Sequence, residues 1–349
     1  MKLLVSALEH SANVHLRYLI KELGYDVELC GIFDASLGES IVDLRSTAIM
    51  GFVDALKKLR FFFRLKDQMV ELAEGVDKVL LIDSSGFNLP LAKSLRKRYP
   101  HKEIIYYILP QAWAWKKKRI PVLEKTITRL CSILPFEPSY YSPSAPIEYV
   151  GHPLLDEITV TKPNLNPTGI VTFMPGSRPG EIKKLMSVFK EVRSRIPCQA
   201  MLVIPPHFEL QKIEELYGDI SDFTVTNDAH TTLAQSDFAF ICSGTATLEA
   251  CLIKTPFVLV YIAKKLDYII GRALIKLDYA GLGNLLFIHK YGQPLHPEFI
   301  QNDVTAENLY NSYLQMDREK FFNDAGALRA LLEHGSAVRV SQIIKETNA

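Results

Sequence analysis

Two strings in the second half of the sequence have the make-up of a diphosphate cradle. Residues 173–181 read FMPGSRPGE: an apolar run, a Pro-Gly turn, Arg178, and then a helix-forming stretch. Amides at a helix start and the Arg178 guanidinium can both meet a diphosphate, one through the helix dipole and the other through a bidentate fork. The bland alternative is a plain turn with Arg178 in water. Residues 242–251, CSGTATLEAC, repeat the pattern after another apolar run. Ser243, Gly244 and Thr245 are small and leave amides approachable, and Glu249 lies about one turn further in, where a carboxylate can take two ribose hydroxyls. Here the alternative is an ordinary N-cap, with Ser243 or Thr245 satisfying the helix amides and Glu249 complementing the dipole. Two such turns in one domain shift the balance toward a nucleotide diphosphate.

In the first half, VLLIDSSGFN puts Asp83 at the end of an apolar run. A carboxylate at a strand end, poorly hydrated in a cleft, has the place and the tunable pKa of a general base; the alternative is a cap for the SSGFN turn. The opening ALEHSANVH supplies Glu9, His10 and Ser11 as candidates for acid/base work or acceptor contact. His10 and His15 are five apart, which does not place both on one helix face as H-E-x-x-H does, and no D-x-D pair occurs. No metal site is expected.

ALKKLRFFFRLKD, residues 55–67, sets Lys57, Lys58, Arg60, Arg64 and Lys66 around Phe61, Phe62 and Phe63 with no acid before Asp67. Rings that enter an acyl boundary beside cations that meet anionic head groups make an interfacial helix, and three consecutive aromatics cannot all face one core. This segment is expected to contact a membrane surface. PQAWAWKKKRI, residues 110–120, is a second basic-aromatic cluster, either flanking an anionic substrate or forming a surface turn.

The elements that must carry these residues alternate from end to end: KLLVSAL, a helix over about Ser11 to Leu23, DVELCGIF, KVLLID, a helix after Pro90, EIIYYIL, LCSILP and IEYVGHP. Apolar runs without alternation, joined by helices, predict parallel sheets covered on both faces. After the Pro- and Asn-rich stretch at 159–169 the pattern restarts with five strand candidates, GIVTFM, AMLVIPP, FTVT, DFAFIC and PFVLVYIA, and a helix over Glu181 to Ile196. The reading is α/β: two doubly wound Rossmann-like domains, residues 1–160 and 170–325, a linker at 161–169, and a carboxyl-terminal helix at 326–349 that returns to the first domain. Such sheets bind ligands at the carboxyl ends of their strands, so a cleft between the domains is the expected site.

With 349 residues, 48% of them hydrophobic, disorder is excluded as the default. Forty Lys+Arg against 39 Asp+Glu give a net charge of +1, which leaves no global attraction to nucleic acid. No run approaches the roughly 18 apolar residues of a membrane span. The opening MKLLVSALEHS turns polar within a few residues and reads as a first strand and not a leader. Five dispersed cysteines with no C-x-x-C pair read as buried thiols of a reducing cytoplasm.

The strings IMGFVDAL (49–56), IDSSGFN (82–88), YYILPQAWAWKKKRI (106–120), ILPFEPSYY (133–141), YVGHPLLD (149–156), MPGSRPGEI (174–182), SGTATLE (243–249) and YAGLGNLL (279–286) together resemble the lipid-A-disaccharide synthase family. That family comprises inverting glycosyltransferases of the GT-B architecture. The resemblance implies transfer of a 2,3-diacylglucosamine unit from UDP-2,3-diacylglucosamine to the 6-hydroxyl of 2,3-diacylglucosamine 1-phosphate, giving UDP and the β-1,6-linked disaccharide of lipid A, without a cofactor. It implies a cytoplasmic protein held peripherally at the inner face of the bacterial inner membrane. It assigns Asp83 to catalysis and Arg178 to the diphosphate loop, matches Asn284 to the Asn of the family's S-L-P-N-L-L segment, and matches Glu298 and Gln301 to its later E-L-L-Q segment, all in the UDP site. The chain departs from the pattern where A-G-E-A-S-G-D reads SALEHSAN, which keeps Glu9 and Ser11 but loses both glycines, where I-D-A-P-D-F-N reads IDSSGFN, and where S-L-P-N reads GLGN. Two alternatives stand beside it: another GT-B enzyme on a soluble UDP-sugar, such as a UDP-N-acetylglucosamine 2-epimerase, and a catalytically weakened nucleotide-sugar-binding protein.

Overall fold

The computed structural model describes all residues except 25, 43–54, 207, 264–278 and 347–349; the side chains of 55–59 and 115 also lie outside the description. The chain divides into two units, Met1–Glu157 with the carboxyl-terminal stretch from Glu333, and Ile158–Leu332.

The first unit holds a parallel sheet of β1 (Lys2–Ser6), β2 (Glu28–Ile32), β3 (Lys78–Ile82), β4 (Glu103–Tyr107), β5 (Arg129–Ser132) and β6 (Ile147–Tyr149), in the order β2-β1-β3-β4-β5-β6. Every residue of β3 and β4 is buried, because helices cover both faces. The strand period of two sorts them: Leu4, Val79, Leu81, Ile104 and Tyr106 enter one core cluster, and Leu3, Val5, Leu80, Ile82, Ile105 and Tyr107 the other. The chain winds outward from β1 to β2 and then returns to β3 on the other side of β1. The carboxyl ends of β1 and β3 therefore form the switch point of this sheet, where open α/β sheets bind ligands.

The second unit repeats the plan with β7 (Ile170–Met174), β8 (Gln199–Val203), β9 (Thr224–Thr226), β10 (Phe238–Cys242), β11 (Phe257–Tyr261) and β12 (Glu298–Ile300), in the order β12-β11-β10-β7-β8-β9. Its switch point lies between β7 and β10. The residues leaving those two strands are PGSR and SGT, so both Gly turns emerge side by side.

Three details differ from the sequence reading. The helix that follows β3 runs over Ser85–Arg98 and contains Pro90 instead of starting after it. The carbonyl that Pro90 leaves without an N–H belongs to Gly86, in an exposed turn where water can take it. The sixth strand, β12, has only three residues and is set by its pairing with β11, Leu259 opposite Glu298 and Tyr261 opposite Ile300. The carboxyl-terminal region is two helices, Arg318–Leu331 and Ser336–Lys345. The second buries Val340, Ile343 and Ile344 with Leu16, Leu19 and Leu23 of the first unit, and Asp156 accepts the Gly335 and Ala337 amides at its start. The stretch 158–169 holds no regular element, and Lys162 within it is buried in the second unit, its ammonium donating to the Ser236 carbonyl at 2.8 Å.

Candidate functional site

β3 delivers Asp83 to the switch point of the first sheet. Asp83 and Ser84 both lie in the left-handed region, at φ 49° and 44°. Outside glycine such backbone costs on the order of 1–3 kcal/mol per residue and persists only where its surroundings impose it. Here the Asp83 N–H donates to the Tyr107 carbonyl at 3.1 Å, while its own carbonyl accepts from Tyr106 Oη at 2.7 Å and Asn88 Nδ2 at 2.8 Å. Burial pushes the Asp83 carboxyl above the ordinary aspartate range, against the opposing pull of the Ser84 amide and of the charge of His15. A desolvated carboxylate of raised basicity is what a general base needs.

Around it, Glu9 and His10 are exposed and Ser11 half-buried at the turn from β1 into the helix His10–Leu23, on the same edge of the sheet. Asn13 is buried and structural, its Nδ2 donating to the Ala7 and Glu9 carbonyls, both at 2.8 Å. His15, weighed in the sequence only for its spacing from His10, belongs to this region through a partner that sequence reasoning missed: its Nδ1 pairs with the Glu157 carboxylate, both side chains about nine-tenths buried. It also missed Tyr106 and Asn88, although both lie within the strings that carry the family resemblance.

The basic-aromatic helix runs over Ala55–Leu72. Leu65 and Met69 face the core and Phe61 is half-buried against it, so the exposed rings are Phe62 at 38% and Phe63 at 53%. Arg60 and Arg64 are exposed beside them; the side chains of Lys57 and Lys58 lie outside the described residues. The expectation for Phe61 is thus corrected: its position four before Leu65 and eight before Met69 puts it on the inward stripe. Phe62 packs on Phe87 at 6.0 Å, and Phe87 belongs to the first turn after Asp83. The second basic cluster is partly structural, because Trp113 is buried edge-on against Phe136 at 4.8 Å and Arg119 donates to Ser85 Oγ at 3.2 Å.

In the second unit, Arg178 is the N-cap residue of the helix Pro179–Arg195, and its side chain is 75% exposed. Its guanidinium bonds Glu181 at 3.0 Å, a carboxylate only 12% exposed at the third helical position. Gly176 has φ 91°, and a Cβ there would meet Cys242 Sγ at 3.2 Å and Glu181 Oε2 at 3.3 Å. Glycine thus lets the PGSR turn lie against the end of β10. Beyond β10 the helix Thr245–Ile253 starts on Gly244, with no side-chain cap. The N-cap alternative for Ser243 and Thr245 therefore fails, since the cap position holds a residue without a side chain. Glu249 is mostly buried, 3.4 Å from His230 Nε2.

Asn284 serves differently from what the resemblance implied. Asn284 is fully buried; its Nδ2 donates to the His296 carbonyl at 2.9 Å and to Glu298 Oε1 at 2.8 Å, and its Oδ1 accepts the Leu295 and His296 amides. Both donors are spent inside the protein, so Asn284 is corrected from a direct UDP contact to a brace. Glu298 also accepts from the Ala280 and Gly281 amides, at 2.7 and 2.9 Å, and so holds the chain entering the helix Leu282–Tyr291. Gln301, at φ 59°, follows β12 on the carboxyl edge of the sheet. Among the described residues no group of three or more His, Cys, Asp or Glu side chains is placed to hold a metal ion.

The family model described as lipid-A-disaccharide synthetase matches residues 3–327. A lipid-A-disaccharide synthase of Helicobacter acinonychis (strain Sheeba) is 46% identical over 356 residues, covering 98% of this chain and 97% of that protein. Among solved structures, MurG of Acinetobacter baumannii aligns with a TM-score of 0.56 at 13% identity, over 99% of both chains. A UDP-GlcNAc 2-epimerase from Neisseria meningitidis, bound to UDP-GlcNAc, aligns at 0.63 and 11% identity over 99% of this chain and 100% of that one. At such identities these likenesses speak for the fold alone, which is GT-B.

Proposed function

The chain belongs to the lipid-A-disaccharide synthase family, and we propose that Asp83 and the paired Gly turns of the second unit are its working parts. It is a glycosyltransferase. A 2,3-diacylglucosamine unit passes from its UDP conjugate to the 6-hydroxyl of 2,3-diacylglucosamine 1-phosphate, giving the β-1,6-linked disaccharide and UDP.

Asp83 takes the proton of the acceptor 6-hydroxyl as that oxygen attacks the anomeric carbon. The bond to UDP breaks on the opposite face, so configuration inverts and the leaving electron pair settles on the β-phosphate. The Gly180 amide at the start of Pro179–Arg195 and the first amides of Thr245–Ile253, with Arg178, receive that charge, and Glu249 takes the ribose hydroxyls. Gln301 borders the same edge, and Glu9, His10 and Ser11 border the acceptor. The observation that carries this assignment is the half-buried, left-handed Asp83 at a sheet switch point. Purified protein given the two acylated substrates should release UDP and form disaccharide in equal amounts; UDP release without disaccharide would sink it. The epimerase reading shares the fold but gives no part to the exposed Phe62 and Phe63.

No helix among the described residues is long and apolar enough to cross a membrane. Phe62 and Phe63, with Arg60 and Arg64, supply instead a peripheral contact with anionic lipid at the cytoplasmic face, where acylated substrates reside. Burying one Phe ring stabilises by roughly 1.5–3 kcal/mol at most, so the double change Phe62→Ser and Phe63→Ser should weaken vesicle binding by about tenfold or more. Apparent KM for vesicle-presented substrate should rise while UDP affinity holds. Vesicle sedimentation and calorimetry check both halves, and wild-type sedimentation of the folded variant would move lipid contact to another surface.

A further inference from the structure

We propose that Tyr106 and Asn88 are positioning residues for Asp83, fixing its carboxylate by holding the peptide that follows it in the left-handed region. The inference rests on Asp83 being the base. Both side chains are fully buried, and both donate to one atom, the Asp83 carbonyl oxygen, at 2.7 and 2.8 Å. Asn88 Nδ2 also reaches the Ile82 carbonyl at 3.1 Å, and its Oδ1 accepts from Ser6 Oγ at 2.6 Å. Ser6 closes β1, Ile82 closes β3, and Tyr106 belongs to β4, so three adjacent strands are tied to the backbone of one residue.

The fold by itself does not ask for this. The β3–β4 ladder already ends at Ile82 opposite Tyr107, and a turn there that needed only positive φ would be cheapest with glycine. The chain instead places Asp83 and Ser84 at those angles and keeps its glycine at 86. Relaxing Asp83 to negative φ would turn its Cα–Cβ bond away from its present direction. The strain is therefore the means by which the carboxylate is aimed, and the two buried donors are what sustain it.

Tyr106→Phe removes one of the donors at almost constant volume. It should lower kcat about tenfold or more, since small misplacements of reacting groups are costly, and leave acceptor KM and UDP affinity within about twofold. In an Asp83→Asn background the same change should cost less than about twofold, because its effect passes through the carboxylate. Ser6→Ala, which frees Asn88 from β1, should give a smaller loss in the same direction and serves if Tyr106→Phe does not fold. A crystal structure of either variant should show Asp83 displaced from its left-handed geometry. An unchanged kcat, an equal loss in the Asp83→Asn background, or an unmoved Asp83 in the crystal would each overturn the proposal. If wild-type protein forms no disaccharide, the reading of Asp83 as base fails on its own, and the crystal geometry of the variants still decides whether these residues hold the turn.

Discussion

Asp83→Asn should lower turnover by about 100-fold or more while the protein becomes no less stable, because general-base catalysis contributes roughly 10²–10⁴ to rate. The amide keeps the shape of the carboxyl and the backbone bonds to Tyr106, Asn88 and Tyr107. The sign of the stability effect follows from burial, which raises the Asp83 pKa above its value in the unfolded chain. Between those two values the folded state holds a proton that the unfolded state has released, so stability falls as pH rises through that window and the full cost is present above the folded pKa. Asparagine cannot ionise and is spared that cost, so Tm at neutral pH should hold or rise, the mark of a residue kept for activity at the expense of stability. The same raised pKa should place the acidic limb of kcat/KM above the usual aspartate range. Near-wild-type turnover in a folded Asp83→Asn protein would remove Asp83 from the chemistry, and a lowered Tm would make it a structural residue.

What could be read from the sequence followed from how local the signal was. Lys78–Ile82 and Phe238–Cys242 are five-residue strands buried on both faces, and uninterrupted apolar runs announce them. β12 has three residues, preceded by Pro297, and only its pairing with β11 makes it a strand. Asp83 was legible as an acid ending an apolar run, but its left-handed backbone was not, since no glycine marks it and its causes lie at Tyr106 and Asn88. Asn284 was misread for the same reason: its partners stand 11 to 14 residues further along the chain. Phe61 is different. The spacing of Phe61, Leu65 and Met69 was in the sequence and already separated the inward ring from the two outward ones.

Arg178→Ala should weaken UDP binding by about 10- to 100-fold, in keeping with roughly 1.5–3 kcal/mol for a hydrogen bond to a charged group. The structure gives this arginine a specific task. Glu181 sits at the third position of the helix whose amides are the candidate diphosphate site, so its carboxylate already occupies part of the positive end of that helix and repels an incoming anion. Arg178 is bonded to Glu181 at 3.0 Å and leaves three-quarters of its side chain in solvent, where it can bridge the carboxylate and a diphosphate. Removing the guanidinium therefore takes away an attraction and uncovers a repulsion. Glu181→Gln has the opposite expected sign, a UDP affinity equal to wild type or severalfold tighter, because the repulsion goes and Arg178 stays. In the Glu181→Gln background Arg178→Ala should cost less than it does alone, since half of its effect has already been removed. Calorimetric titration of UDP into the four proteins measures all of this. Equal losses from Arg178→Ala in both backgrounds would show that the guanidinium acts on UDP without regard to Glu181, and no loss in either would reduce Arg178 to a turn residue.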